Sequence, residues 1–272
     1  MTIALLGLPQ DNNASYLSGP ALAPQRIREA LWSDSANMFT ETGLDLGDPT
    51  IWTDSGNVAL EGLTGQSAYD AIYSAVTQRI AQGHRLVSLG GDHSIAFPVI
   101  HAHANAYEGL NILHIDAHPD LYDNMLDNKF SHASPFARLM ETGKIARLVQ
   151  VGIRTQNAHQ KAQAEKFGVE THEMRDLSKL ADLQFEGPVY LSFDLDALDP
   201  AFAPGVSHFE PGGLSTRQGL DIIQNFKGQL VGADVVELNP LRDANGMTAM
   251  VAAKLAKELI ARLVADQDAS DR

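Results

Sequence analysis

Short runs of apolar residues alternate along the chain with longer segments whose apolar residues recur at helical spacing. Six runs rich in Val, Leu and Ile are predicted as strands: Ile3–Leu6, Arg85–Leu89, Asn111–Ile115, Leu148–Val151, Val189–Phe193 and Leu230–Val236. Seven segments are predicted as helices: Pro24–Trp32, Ser67–Gln82, Phe97–Tyr107, Ser134–Thr142, Ala158–Phe167, Thr216–Phe226 and Gly246–Val264. Continuous apolar strands that alternate with helices favour an α/β fold with a doubly wound parallel sheet.

The 272-residue chain has no internal repeat, low-complexity linker or block of charge that would separate domains. We therefore expect a single domain over residues 1–265. The weakly periodic segment Thr40–Gly65 is predicted to be an irregular connection with room for one edge strand. The polar residues 266–272 are predicted to form a frayed tail.

Composition excludes several kinds of protein and site. The absence of cysteine excludes thiolate zinc sites, disulfides and a cysteine nucleophile. A net charge of -14 disfavours binding to nucleic acid and would attract cationic ligands. The first residues lack a basic leader, and no apolar run approaches the length of a membrane span. We therefore expect a cytoplasmic protein that binds neither nucleic acid nor membrane.

Potential metal ligands follow four of the predicted strands. In open α/β sheets ligands bind beyond the carboxyl ends of the strands, so a site is expected there. Asp116, His118 and Asp120 alternate after one strand, which places their side chains on one face of extended backbone. The other strands are followed by Asp194 and Asp196, by His93 after two glycines that permit a tight turn, and by Glu237.

This set of side chains favours a pair of manganese ions. Four carboxylates and two imidazoles form an oxygen-rich set that favours Mn²⁺ over structural zinc, with Fe, Co and Ni left open. Four aspartates around one dication would leave two negative charges uncompensated, whereas two dications neutralise them. Two metals about 3.5 Å apart would hold a bridging water and lower its pKa. The predicted ligands of two Mn²⁺ per chain are His93, Asp116, His118, Asp120, Asp194 and Asp196.

Three motifs resemble the signatures of the ureohydrolase family, the arginases and agmatinases. They are Gly-Gly-Asp-His-Ser at 90–94, Asp-Ala-His-Pro-Asp at 116–120 and Ser-Phe-Asp-Leu-Asp-Ala-Leu-Asp-Pro at 192–200. The similarity runs nearly end to end, and residues 202–208 and 246–255 look most like plant-type arginases. The resemblance implies a three-layer α/β/α sandwich around a mainly parallel sheet, assembled as a homotrimer or homohexamer.

The resemblance also implies how the ligands are divided between the two ions. Both sets contain Asp116 and Asp194, which would bridge the ions. The first set is completed by His93 and Asp120, and the second by His118 and Asp196.

Four residues would act on the substrate or the bridging hydroxide in a protein of this family. Asp120 would also hydrogen-bond the bridging hydroxide, and Glu237 would receive the substrate guanidinium. His132 would transfer a proton near the leaving amine. Asn157 follows the strand after which the family places contacts to the tail of the substrate.

The expected reaction is hydrolysis of a small cationic guanidino substrate with release of urea. L-arginine, which gives ornithine, is the leading candidate. Agmatine, which gives putrescine, and other guanidino acids stay open because Thr155-Gln156-Asn157 stands where some arginases have acidic residues. Zinc-dependent deacetylases share the fold but need one metal, and six ligand positions together with Glu237 argue against them. A non-catalytic metal-dependent regulator is a remote alternative.

Overall fold

Strands and helices alternate along the described residues, 2–177 and 183–270, of the computed structural model. The strands are β1 (Thr2–Gly7), β2 (Trp52–Asn57), β3 (His84–Leu89), β4 (Leu110–Ile115), β5 (Ile145–Ile153), β6 (Glu170–Glu173), β7 (Gln184–Asp194) and β8 (Lys227–Val236). The α-helices are α1 (Ala23–Leu31), α2 (Gly65–Ala81), α3 (Ala96–Ala106), α4 (Pro135–Glu141), α5 (Ala158–Phe167), α6 (Thr216–Asn225) and α7 (Met247–Ser270). No helix within these residues is long and apolar enough to cross a membrane.

All eight strands belong to one parallel sheet with the order β2-β1-β3-β8-β7-β4-β5-β6. One face packs against α1, α6 and α7, and the other packs against α2, α3, α4 and α5. Alternate strand residues enter the two cores: Val87 and Leu89 of β3 lie on the first side and Leu86 on the second. The predicted three-layer α/β/α sandwich is confirmed.

The two edge strands were the least predictable part of the sheet. In β2 only Trp52 is buried, and no residue of β6 is fully buried. An edge strand with one solvated face lacks the continuous apolar run by which the central strands were recognised. The strand β2 lies within the segment for which one edge strand was allowed, whereas β6 was missed.

The last helix continues beyond the expected end of the domain. α7 runs to Ser270, and the carboxylate of Asp266 accepts hydrogen bonds from the Leu230 backbone at 2.8 Å and from Arg262 at 3.0 Å. Residues 266–270, expected to be part of a frayed tail, are thus helical, and 271–272 lie outside the described residues. A single domain over residues 1–265 stays a prediction.

Candidate metal centre and substrate pocket

The side chains expected to bind metal lie at the carboxyl ends of β3, β7 and β4, and Glu237, expected to bind the substrate, follows β8, which lies between β3 and β7. β4 and β8 end immediately before Asp116 and Glu237, and β7 ends on Asp194. A short 3-10 helix that begins at His93 follows β3. Because these strands are adjacent, segments far apart in sequence meet at one edge of the sheet.

Close packing of the backbone, rather than an unusual turn, explains the two glycines before His93. A Cβ atom on Gly91 would overlap the backbone carbonyl of Gln10, and one on Gly90 would lie 2.5 Å from Val236 Cγ1. Neither glycine has a positive φ. The expected reason for the glycine pair, a tight turn, is therefore replaced by lack of space for a side chain.

A first group of ligand atoms surrounds the imidazole of His93. Its Nδ1 atom lies 3.2 Å from Asp116 Oδ2, 3.1 Å from Asp120 Oδ2 and 3.1 Å from Asp194 Oδ2. This nitrogen is buried and has no hydrogen-bond partner among the described residues. Atoms bonded to one cation at about 2.1 Å, at right angles to one another, are about 3 Å apart. The spacing therefore fits a shared metal ion.

A second group lies on the other side of Asp116. His118 Nδ1 is 3.4 Å from Asp116 Oδ1 and 3.1 Å from Asp196 Oδ2. The three side chains offer ligand atoms that all lie within 4.8 Å of one another. Asp116 therefore faces the first group with one carboxylate oxygen and the second with the other, as a bridging ligand would. Asp194 faces the first group with Oδ2, and its Oδ1 accepts the backbone N–H of Asp196 at 2.8 Å, just as Asp116 Oδ1 accepts that of His118 at 2.6 Å.

The carboxylates of the centre are crowded and buried, which makes their negative charge costly. Burial raises the pKa of Asp194 well above its ordinary value, and the neighbouring Asp196 and Asp116 raise it further. Burial also raises the pKa of Asp196. Cations bound between these groups would offset both the desolvation and the mutual repulsion. The donor set and its electrostatics therefore fit divalent metal ions.

Two residues of the site have strained backbone conformations. Asp120 has a φ of 50° and Glu237 a φ of 66°, a region that residues other than glycine seldom adopt. Such conformations persist only where the surroundings impose them, and they cluster at functional sites. Both side chains are aimed into the pocket described below.

The carboxylate of Glu237 has one engaged and one free oxygen. Oε1 accepts the backbone N–H of His93 at 2.9 Å and lies 2.8 Å from Nδ1 of His132. Oε2 is buried and has no hydrogen-bond partner among the described residues. A buried carboxylate oxygen without a partner is costly unless a ligand supplies a donor. Glu237 therefore offers a binding point for a cationic group.

His132 is held between Glu237 and the amino-terminal segment. Its Nε2 atom accepts the backbone N–H of Ser15 at 3.1 Å and lies 2.9 Å from the Ser15 hydroxyl oxygen. Burial lowers the pKa of His132, but the charge and hydrogen bond of Glu237 more than offset this and raise the pKa to about 9. Glu237 thus favours the protonated imidazole, whereas the Ser15 N–H at Nε2 favours the neutral one, so protonation of Nε2 requires the Ser15 N–H to turn away.

A cavity of about 380 Å³ opens onto both groups of ligands. Its floor contains His118, Asp120, Asp194, Asp196 and Glu237. Its outer wall is formed mainly by uncharged side chains, among them Tyr122, Met125, Thr155, Asn157 and Gln160. The cavity thus combines an anionic floor with a neutral polar wall, which suits a ligand with a cationic head and a longer tail.

Comparison with known proteins shows which family this chain belongs to. The model of the arginase family matches residues 1–261. The chain belongs to the arginase family. It is 50% identical to Arginase 1, mitochondrial, of Arabidopsis thaliana over 275 residues, which cover 96% of this chain and 80% of the relative. The solved arginase of Medicago truncatula superposes with a TM-score of 0.90 at 47% identity, covering 96% of this chain and 87% of that one.

The chain is also similar, at lower identity, to relatives with other names. A human protein, Guanidino acid hydrolase, mitochondrial, is 34% identical over 277 residues, which cover 96% of this chain and 78% of the relative. The match to the arginase family confirms that the chain is a ureohydrolase enzyme that acts on guanidino compounds. Family membership and the candidate ligand groups together support metal dependence.

The expectation of a cytoplasmic protein is wrong. That prediction depended on the amino-terminal residues and on the absence of apolar spans. Neither feature identifies a cellular compartment. The similar arginases of Arabidopsis thaliana and Medicago truncatula are named mitochondrial or chloroplastic/mitochondrial. These names contradict the cytoplasmic prediction.

Asn157, expected near the substrate tail in this family, lies in the pocket wall at the start of α5. Its Oδ1 accepts the backbone N–H of Gln160 at 2.9 Å, which caps the helix. Its Nδ2 donates to the Tyr122 hydroxyl at 2.6 Å. Both polar atoms are thus engaged within the protein, and Asn157 fixes the shape of the wall.

Several side chains of the site have no clear signal in the sequence. Ser15 comes from a loop without periodicity, more than one hundred residues before its partner His132. The ring of His208 lies 5.3 Å from that of His132 and 6.0 Å from that of His118, between their centroids. The motif around 202–208 places His208 in a loop, but only the fold brings that loop over the pocket.

Proposed function

We propose that this member of the arginase family is a binuclear-manganese amidinohydrolase that converts L-arginine to ornithine and urea. The observation that carries the proposal is the buried, unpartnered Oε2 of Glu237 beside two groups of metal-ligand atoms. The names of its relatives support the arginase assignment, since the Arabidopsis thaliana relative with 50% identity is called an arginase.

Six side chains would hold two Mn²⁺ per chain. Their number, their oxygen-rich chemistry and the two-sided contact of Asp116 support two ions rather than one. When bound, the ions would supply an activated water molecule and neutralise the charge of the aspartates. The ligands are His93, Asp116, His118, Asp120, Asp194 and Asp196. Asp120 would also accept a hydrogen bond from the bound water.

Glu237 would bind and orient the guanidinium group. The cation supplies N–H donors, and Oε2 is the free acceptor at the floor of the cavity. Hydrogen bonds between ionised partners are short and strong, and they fix the plane of the guanidinium relative to the ligand groups. The hydrogen bond from the His93 backbone holds the carboxylate in place for this role.

His132 would move the proton that the departing amine requires. The amine leaves most easily when protonated, and a histidine beside a carboxylate can supply the proton. His132 keeps its Nδ1 proton on Glu237 Oε1, so the proton is exchanged at Nε2, which faces Ser15. The carboxylate of Glu237 raises the pKa of His132 to about 9, so Nε2 would take up this proton once the Ser15 N–H turns away.

The outer wall leaves the identity of the substrate tail open. Thr155, Asn157 and Gln160 are uncharged, so they do not provide a carboxylate for an α-amino group. Agmatine and other guanidino acids are therefore the alternative substrates within the same activity. Assembly as a homotrimer or homohexamer is part of the proposal, and light scattering of the purified protein tests it.

The test is urea release from a panel of guanidino compounds by the manganese-loaded protein. L-arginine, agmatine and short guanidino acids are compared at equal concentration. The proposal expects urea release from L-arginine, with a kcat/KM higher than that for any other compound in the panel. A preference for agmatine would move the assignment to the alternative, and no urea from any compound with metal bound would contradict the enzyme assignment.

A further inference from the structure

A buried polar chain leads from the imidazole of His93 into the interior of the sheet. Ser192 on β7 and Asp234 on β8 are paired in register, so their side chains project from the same face. Ser192 Oγ lies 2.9 Å from His93 Nε2 and donates to Asp234 Oδ1 at 2.7 Å. Asp234 Oδ2 accepts the Tyr190 hydroxyl at 2.9 Å. All of these residues are fully buried.

The directions of these hydrogen bonds fix the tautomer of His93. A serine hydroxyl has one hydrogen, and here it is directed to the Asp234 carboxylate. Ser192 Oγ can therefore only accept from His93, which requires the proton on Nε2. The lone pair of Nδ1 is left free, and it points at the three aspartate oxygens around 3.1 Å away. The hydrogen bonds from His93 through Ser192 to Asp234 thus leave Nδ1 ready to bind a metal ion.

We propose that Asp234 is a positioning residue which, through the Ser192 hydroxyl, fixes His93 in the ring orientation and tautomer needed to bind metal. This inference rests on the proposed function, in which His93 is a manganese ligand. Neither Asp234 nor Ser192 lines the pocket, and the contact that joins them to the metal ligands is the one between Ser192 and His93.

The rigidity of the sheet makes this arrangement effective. β7 and β8 are central strands, and their register sets the distance between Ser192 and Asp234. Hydrogen bonds from the non-ligating nitrogen of a histidine orient the ring, and losing them typically weakens metal binding by about 10- to 100-fold. Without the Ser192 hydroxyl, the Nε2–H of His93 would be buried without an acceptor, and the other tautomer and ring orientations would compete.

The test compares manganese affinity in variants of Ser192 and Asp234, the two residues that link His93 to Tyr190. Ser192→Ala removes the acceptor for His93, and Asp234→Asn weakens the carboxylate that directs the Ser192 hydrogen. Tyr190→Phe is the matched control, because it removes a hydrogen bond to the other oxygen of Asp234 and leaves Ser192 and His93 joined. Mn²⁺ dissociation constants are measured by competition with a fluorescent chelator, and electron paramagnetic resonance distinguishes coupled ion pairs from single ions.

We expect Ser192→Ala and Asp234→Asn to weaken the binding of one of the two manganese ions by about 10- to 100-fold. At limiting manganese, the spectrum should then be that of a single ion. Urea formation should recover when manganese is raised to saturation. The manganese dissociation constants of Tyr190→Phe should stay within about three-fold of those of the unchanged protein. Thermal unfolding of the metal-free variants checks folding, and Asp234→Asn decides the matter if Ser192→Ala does not fold.

Unchanged manganese affinity in folded Ser192→Ala or Asp234→Asn, while the unchanged protein binds two ions, would overturn this inference and leave the proposed function intact. An equal loss in Tyr190→Phe would also overturn it, because the effect would then be general loosening of the core. Failure of the unchanged protein to bind manganese at all would overturn the proposed function and the inference with it.

Discussion

Glu237 Oε1 lies 2.8 Å from Nδ1 of His132, and the same oxygen accepts the backbone N–H of His93. One carboxylate thus connects the histidine expected to transfer protons with the segment expected to bind metal. Its second oxygen is left for the substrate. This arrangement explains why a glutamate in a strained conformation stands at the end of β8.

Replacing Glu237 by glutamine should weaken binding of the guanidinium without removing the metal. The variant keeps the shape of the side chain but loses the charge that strengthens the hydrogen bonds to the cation. We expect kcat/KM for urea release to fall by about 100-fold, with manganese content unchanged. Glu165→Gln, on the exposed face of α5, is the matched control and should leave both quantities unchanged.

His132→Asn should slow turnover while the protein keeps its metal. The asparagine can still bond to Glu237, but it cannot deliver a proton to the leaving amine. The expected fall in kcat is about 10²- to 10⁴-fold. His172→Asn, on the edge strand β6, provides a control for histidine replacement. Complete loss of bound manganese in His132→Asn would show that His132 serves the metal rather than the amine.

The pair of His132 and Glu237 should make a pH-dependent contribution to stability. The pKa of His132 is raised to about 9 in the folded chain, against about 6.5 for an unperturbed histidine. The contribution is therefore fully present below pH about 6.5 and lost as the pH rises through about 9. The measurement is the difference in free energy of unfolding between the unchanged protein and His132→Asn, both treated with chelator, as a function of pH. It should shrink across this range, and a constant difference would contradict the pairing.

Asn157 offers a way to separate helix capping from the shape of the pocket. Asn157→Ala removes the cap of α5 and should lower the free energy of unfolding by about 1 kcal/mol. Asn157→Ser keeps a capping oxygen and should retain most of the stability, but it loses the bond to Tyr122. Both variants should raise KM if the Asn157–Tyr122 contact shapes the wall. An increase only in Asn157→Ala would assign the effect to the helix.

The central part of the fold was predictable because local pattern and environment agree there. β3, β4, β7 and β8 are buried on both faces, so their apolar runs are visible in the sequence. Parallel strands align their carboxyl ends, and this rule alone places His93, Asp116, Asp194 and Glu237 at one edge. The exposed β6 has no such pattern and was missed.

Contacts that depend on long-range packing could not be predicted. Spacing aligns His114 with Asp116, but only the structure shows its Nε2 2.7 Å from Asp116 Oδ2 and its other nitrogen 3.0 Å from Gln150. Ser15 meets His132 because an irregular loop crosses the pocket. The His114–Gln150 and Ser15–His132 contacts have no characteristic sequence spacing, since each joins segments that are far apart in sequence and are brought together by the whole fold.

The most direct test of the account is a manganese titration of the chelator-treated protein, with urea release from L-arginine measured at each step. The rate should rise until two Mn²⁺ are bound per chain, and Asp194→Asn should lose bound metal and activity together. A plateau at one ion per chain would contradict the binuclear centre. Two bound ions without urea from L-arginine, agmatine or another guanidino acid would contradict the proposed reaction.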